Sequence, residues 1–140
     1  MEKKKIGFIS AKMKDLDICM LSTTGGRGIV STRPMSNNRD VKYNGESFFF
    51  SDKNTQKVRD ISKNRSVSLS FTGKKGLYII VKGKARIITS KDKMEEHWVP
   101  DLEQWFKDGL ETKGLVLLAV KAQNIHYWNN YKEGEITLAK

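Results

Sequence analysis

Eleven residues in the middle of the chain, 77 to 87, alternate with a period of two. Leucine, isoleucine, valine, glycine, alanine and isoleucine fill the odd positions, while Tyr78, Lys82, Lys84 and Arg86 stand among the even ones. Successive side chains of a strand point to opposite faces, so an apolar row falls on one side and the charged groups on the other. A helix would scatter the same residues around its circumference. The chain must therefore build a sheet that is dry on one face and wet on the other, the habit of antiparallel sheets.

The rest of the chain supplies partners for that strand. Residues 2 to 14 carry Ile6, Ile9 and Met13 at helical spacing. Residues 16 to 24 are apolar on both parities, which predicts a central strand, and Gly25, Gly26, Arg27 and Gly28 predict a hairpin turn into the next one. A phosphate-binding glycine loop has to enter a helix, whereas this one enters a strand over residues 28 to 36. Pro34 in that strand has no N–H to give a ladder, so it marks an end, an edge or a bulge. Residues 37 to 44 read as a loop, with Val41 and Tyr43 extended, and residues 47 to 51 as a strand. A helix is expected from Asn54 as N-cap, with Val58 and Ile61 on one face and its end near Asn64.

Val67, Leu69 and Phe71 then alternate with serines, and residues 73 to 76 turn the chain. Residues 90 to 109 switch to a helical period, divided at Pro100 into two short helices. Residues 114 to 128 predict a long strand and residues 135 to 138 a short one. Six or seven strands with few helices describe a mainly β domain, a small antiparallel barrel with peripheral helices.

Several function classes recede at this point. At 140 residues the chain is expected to be one domain that buries its own core. The longest apolar run, residues 115 to 120, is far too short to span a membrane. The basic start M-E-K-K-K is followed by an apolar stretch too short and broken for a signal peptide. Cys19 is the sole cysteine, and His97 and His126 lie in different segments, so neither a disulfide framework nor a transition-metal site is expected. A reducing cytoplasm fits that usage. The net charge of +10 is compatible with nucleic acid, anionic membranes or phosphorylated ligands. The lysines are scattered in blocks of no more than three, and the aromatics do not interleave with them along one strand face. Single-strand nucleic-acid binding is thus a remote alternative to a basic solvated surface.

The chemistry concentrates where the strand of residues 47 to 51 runs into a helix. Thr55, Gln56 and Lys57 bring a hydroxyl, an amide and an ammonium to the unpaired N–H groups of a helix start, which makes an anion site suited to phosphate. Backbone beside Pro34 is free to bond a ligand. On spacing alone Arg33 and Lys57 also read as surface residues, Trp98 and Trp105 as core anchors, and His126 as a structural hydrogen-bonding group.

Taken in order, the motifs R-P-M, F-F-F-S, T-Q-K, Y-I-I-V-K-G-K-A, H-W-V-P-D-L-E-Q-W-F and I-H-Y-W resemble one family over about residues 6 to 130. It is that of the bacterial general stress proteins of the pyridoxamine 5'-phosphate oxidase-like FMN-binding split barrel. The resemblance implies a split β-barrel homodimer with FMN at the subunit interface and a small-molecule redox partner. It implies that Arg33, Pro34 and Met35 line the isoalloxazine mainly through backbone, with Phe50 and Ser51 on the adjacent strand. Thr55, Gln56 and Lys57 match the Ser-Arg-Lys run that holds the phosphate in the oxidases, and Gln56 in place of arginine leaves Lys57, with Lys53, as the charge. Tyr78 would reach the flavin from the partner subunit, Trp128 would lie near the ring, and Trp98 and Trp105 around the mouth. The tail N-N-Y-K-E-G-E-I-T-L-A-K has neither arginine nor histidine for a substrate phosphate, which argues against pyridoxamine phosphate oxidation. A flavin-dependent oxidoreductase and a non-catalytic FMN-binding or FMN-sensing stress protein both follow from the resemblance.

Overall fold

A computed structural model describes residues 2–37 and 42–138. Helix α1 (Glu2–Met13) leads into strands β1 (Ile18–Thr24), β2 (Val30–Ser36) and β3 (Glu46–Asp52). Helix α2 (Gln56–Lys63) precedes β4 (Ser66–Thr72) and β5 (Tyr78–Ile88). Helix α3 (Lys91–His97) is followed by β6 (Leu115–Asn129) and β7 (Lys132–Thr137). The strands form one antiparallel sheet in the order β2-β1-β4-β5-β6-β3. β7 pairs with residues 124–129 of β6, beyond the stretch of β6 that pairs with β3. The sheet curls, and its two end strands, β2 and β3, stay unpaired to each other. This is a split barrel, as the pattern and the resemblance together implied, with three α-helices among the described residues.

The alternation of β5 sorts as expected: Ile79, Val81 and Ala85 are at most 1% exposed. They meet Leu21, Leu69, Phe71 and Ile125 inside the curl, and Ile9 and Met13 of α1 and Val58 and Ile61 of α2 close it. β5 slips register against β6 between Lys82 and Gly83. A Cβ on Gly83 would stand 2.2 Å from the carbonyl oxygen of Lys121, so only glycine lets the two backbones approach there. Cys19 is buried, and burial pushes its thiol up to about 12, which leaves it inert at neutral pH.

Residues 115 to 120 are buried without alternation because both faces of β6 are covered. Val116, Leu118 and Val120 face the barrel. Leu115 and Leu117 face a second cluster with Met94, Phe48, Phe50, Trp98, Phe106 and Leu110. Trp98 packs edge-on against Phe50 at 5.1 Å, so it is an anchor of this second core.

Several boundaries differ from expectation, each for a local reason. α2 begins at Gln56 with Thr55, not Asn54, at the N-cap, because the Asp52 carboxylate takes the Asn54 N–H at 2.7 Å and forms a turn ahead of the helix. The hairpin before β2 holds a 3-10 turn (Gly26–Gly28) with Arg27 at φ 63, so the strand starts at Val30. β1 starts at Ile18 rather than at Leu16. Tyr43 is buried without joining a strand, and Val41 lies outside the described residues. After Pro100 the chain makes 3-10 turns (Pro100–Gln104 and Gly109–Glu111) in place of a second α-helix. β7 starts three residues earlier than the pattern suggested, because Asn130 and Tyr131 at φ 52 and 70 make a tight hairpin turn. Among the described residues no helix is long and apolar enough to cross a membrane.

Candidate functional site

The first turn of α2 meets the end of the barrel formed by β1 and β2. Arg33 lies on the inward face of β2 opposite Leu21. Its Nη1 donates to Thr23 Oγ1 at 2.7 Å and to the Leu21 carbonyl at 3.3 Å, and its Nη2 is 3.9 Å from Asp60 Oδ2. Thr23 donates in turn to the same Asp60 oxygen at 2.7 Å. Thr23 and Asp60 are buried, at 1% and 6% exposure. A Cβ on Gly25 would be 2.8 Å from Asp60 Oδ1, so the glycine makes room for the carboxylate.

Lys57 shares this field. Burial holds its pKa below the ordinary 10.5 and the Arg33 guanidinium lowers it further, while Asp52 opposes the shift. Arg33 is lowered as well, by burial first, with Asp60 opposing. Two cations thus repel across the gap, offset at Arg33 by Asp60, which is already bonded to Thr23, and at Lys57 by Asp52. Adding an anion there would relieve the repulsion.

The helix start provides hydrogen-bond donors beside those charges. The Thr55 hydroxyl donates to the Asp52 carbonyl at 2.9 Å and so caps no N–H of the first turn, which also holds no acidic residue. The N–H groups of an uncapped first turn point outward with the positive end of the helix dipole. Gln56 Nε2 donates to Ser31 Oγ at 3.3 Å and ties the helix start to β2. Ser51 is buried, with its hydroxyl 3.2 Å from the Asp52 carbonyl and 3.4 Å from Thr55 Oγ1. Arg33, Ser51, Thr55, Gln56 and Lys57 form a cradle whose charges and donors would suit an anion.

The remaining residues singled out in the sequence fall elsewhere. Pro34 lies in an end strand of the sheet and its side chain is exposed on the outer face, whereas Met35 turns inward and is buried. Phe50 faces the second cluster with Trp98, and Trp105 is 68% exposed. Tyr78 and Trp128 sit opposite each other on β5 and β6. Three strand spacings, about 14 Å, separate Tyr78 from β2, so it cannot join the cradle within one chain. Both share the outer face with Pro34, through the cross-strand row Pro34, Met20, Ser70, Ile80, His126. His126 stacks on Trp128 at 4.3 Å and bonds Glu133 of β7, the structural role its setting suggested.

Sequence reasoning missed Thr23 and Asp60. They meet across 37 residues, and nothing local distinguishes an aspartate in a basic helix from a solvated one. Only the pairing of β1 with β2 and the docking of α2 bring them to Arg33.

The curled sheet, open between β2 and β3, defines a split barrel, and the chain belongs to the pyridoxamine 5'-phosphate oxidase like family, which matches residues 4–140. It is similar to General stress protein 26 of Bacillus subtilis (strain 168), at 27% identity over 133 residues, 91% of this chain and 94% of that protein. A solved protein from Clostridium acetobutylicum, related to general stress protein 26, shares the fold with a TM-score of 0.83 at 18% identity, over 99% of this chain and 97% of that one. A heme binding protein from Mycobacterium smegmatis shares it with a TM-score of 0.72 at 10% identity, over 98% of this chain and 58% of its own.

Proposed function

We propose that this chain is an FMN-binding flavoprotein of the general stress protein type, acting in the cytoplasm as a homodimer on a small redox partner. The observation that carries the reading is the convergence of Arg33 and Lys57 at the uncapped first turn of α2. A phosphate dianion suits a cradle of an ammonium, a guanidinium and outward N–H groups, where charge-assisted bonds are the strong ones. When bound, the flavin ring supplies the electron-transfer chemistry. The protein's part is to grip the phosphate, aim the ring along the backbone of β2 beside Pro34, and keep water from it.

Replacing Lys57 by alanine is expected to weaken FMN binding by about 1–3 kcal/mol, the loss of a hydrogen bond to a charged group. A fluorescence titration reads this directly, and an unchanged affinity would put the phosphate somewhere else. An oxidoreductase of this kind would draw electrons from a nicotinamide nucleotide or a small reductant. The non-catalytic reading is favoured by one feature: Asp60, the buried carboxylate of the cradle, is already committed to Thr23 and Arg33. Rapid oxidation of a nicotinamide donor by the FMN-loaded protein would decide for catalysis. β7, where a substrate phosphate would need cations, has neither arginine nor histidine and sets Glu133 and Glu135 beside its one lysine, Lys132. That favours a substrate other than pyridoxamine phosphate.

Dimerisation would bring Tyr78 and Trp128 of one copy toward the cradle of the other. The outer face supports this with exposed Ile18, Met20, Val30 and Tyr78, apolar side chains that a second copy would cover. Light scattering at micromolar concentration is expected to return twice the 16.0 kDa of one chain. A single-chain mass there would contradict the dimer.

A further inference from the structure

A cavity of about 520 Å³ lies between α1 and the residue 46–49 end of β3, with α3 at its rim. None of the cradle residues lines it. Its size suits a small ligand rather than stray water. The helix beside it is built to leave it open. Gly7 sits mid-helix, where glycine is the poorest former after proline. A Cβ there would meet no atom within 4 Å, so no steric demand of the fold explains the glycine. Ala11, one turn on, adds a second small residue to the same wall.

The walls are chemically uneven. Phe48 and His97 line it as a stacked pair with ring centroids 3.7 Å apart, a flat aromatic surface. Lys14 and Lys42 line it too, and neither has an ion-pair partner among the described residues. Glu46 also lines the cavity, but its carboxylate is paired with Arg86 at 2.9 Å. Among the described residues the lining thus holds two lysines against one carboxylate that is already paired. Ser10 Oγ accepts the Tyr43 N–H at 3.1 Å and keeps its own hydrogen to give.

We infer that this cavity binds a small aromatic carboxylate, its ring against Phe48 and His97 and its charge toward Lys14, Lys42 and Ser10. The inference is independent of the flavin reading, since the two sites share no residue.

Benzoate is the probe, added to the full-length chain and followed by amide NMR shifts, with benzamide as the uncharged twin. Saturable shifts are expected at Gly7, Ala11, Phe48 and His97, with benzamide weaker by about tenfold, the loss of a charge-assisted bond. The same shifts are expected with the protein saturated in FMN. Gly7→Leu is expected to abolish them while melting no lower than the parent, because it fills open space and improves the helix. Lys14→Gln with Lys42→Gln is expected to erase the preference for benzoate over benzamide. Shifts confined to residues 55–57, no saturation in the millimolar range, or a Gly7→Leu variant that binds normally would each overturn the assignment. So would loss of a dimer in Gly7→Leu by light scattering, which would mark the cavity as an interface between copies.

Discussion

Gly83→Ala is expected to lower the free energy of unfolding by about 3 kcal/mol, at the upper end of what overpacking costs. The added methyl would sit 2.2 Å from the Lys121 carbonyl oxygen, 2.9 Å from its carbon and 3.2 Å from the Ala122 Cα. All three are backbone atoms of β6, so no side chain can rotate away. Relief requires the β5–β6 ladder to part at the register shift, in the middle of the most extensive pairing in the sheet. Urea denaturation measures the loss, and thermal unfolding should fall by roughly 10 °C. Lys82→Ala, one residue earlier and exposed, serves as the control and is expected to change stability by less than about 0.5 kcal/mol. A Gly83→Ala variant as stable as that control would mean that the strands are not so close.

Asp60→Ala is the second large effect, at about 3 kcal/mol, because it leaves Arg33 partly buried without its counter-charge and Thr23 without its acceptor. The side chains of Arg33 and Asp60 are 20% and 8% exposed, so water can only partly replace the lost partner. Combining Asp60→Ala with Arg33→Met should cost clearly less than the sum of the two single changes, by about 1 kcal/mol or more, since the orphaned charge is then gone. Strict additivity in urea would show that the two side chains do not interact. Asp60→Asn keeps an acceptor for Thr23 while removing the charge, and is expected to fall between the parent and Asp60→Ala.

The split of these residues between readable and hidden follows from distance along the chain. Strand alternation is a local signal, so β4, β5 and the helical face of Ile6, Ile9 and Met13 could be read directly. The Thr55-Gln56-Lys57 helix start was legible for the same reason, although the turn made by Asp52 displaced the cap by one residue. What stayed hidden depends on pairs far apart in sequence. The Thr23–Asp60–Arg33 network needs two strands and a helix in place before its atoms meet. Trp98 could be assigned to a core from its spacing, but that the core is a separate one, behind β3 and β6, emerges only from the curl of the sheet. The early start of β7 escaped notice because tyrosine is an unusual occupant of a left-handed turn position.

Leu117 and Leu118 are adjacent in β6 and both fully buried, one in each hydrophobic cluster. A single backbone is thus the common wall of two rooms, and neither can lose its contents while the wall stands unchanged. Loosening α3 and the 3-10 turns would expose one face of β6 to water and weaken the barrel from behind. The two clusters should therefore melt as one cooperative body, and changes far out along the Trp98 segment should be felt at the opposite end, where α2 closes the barrel.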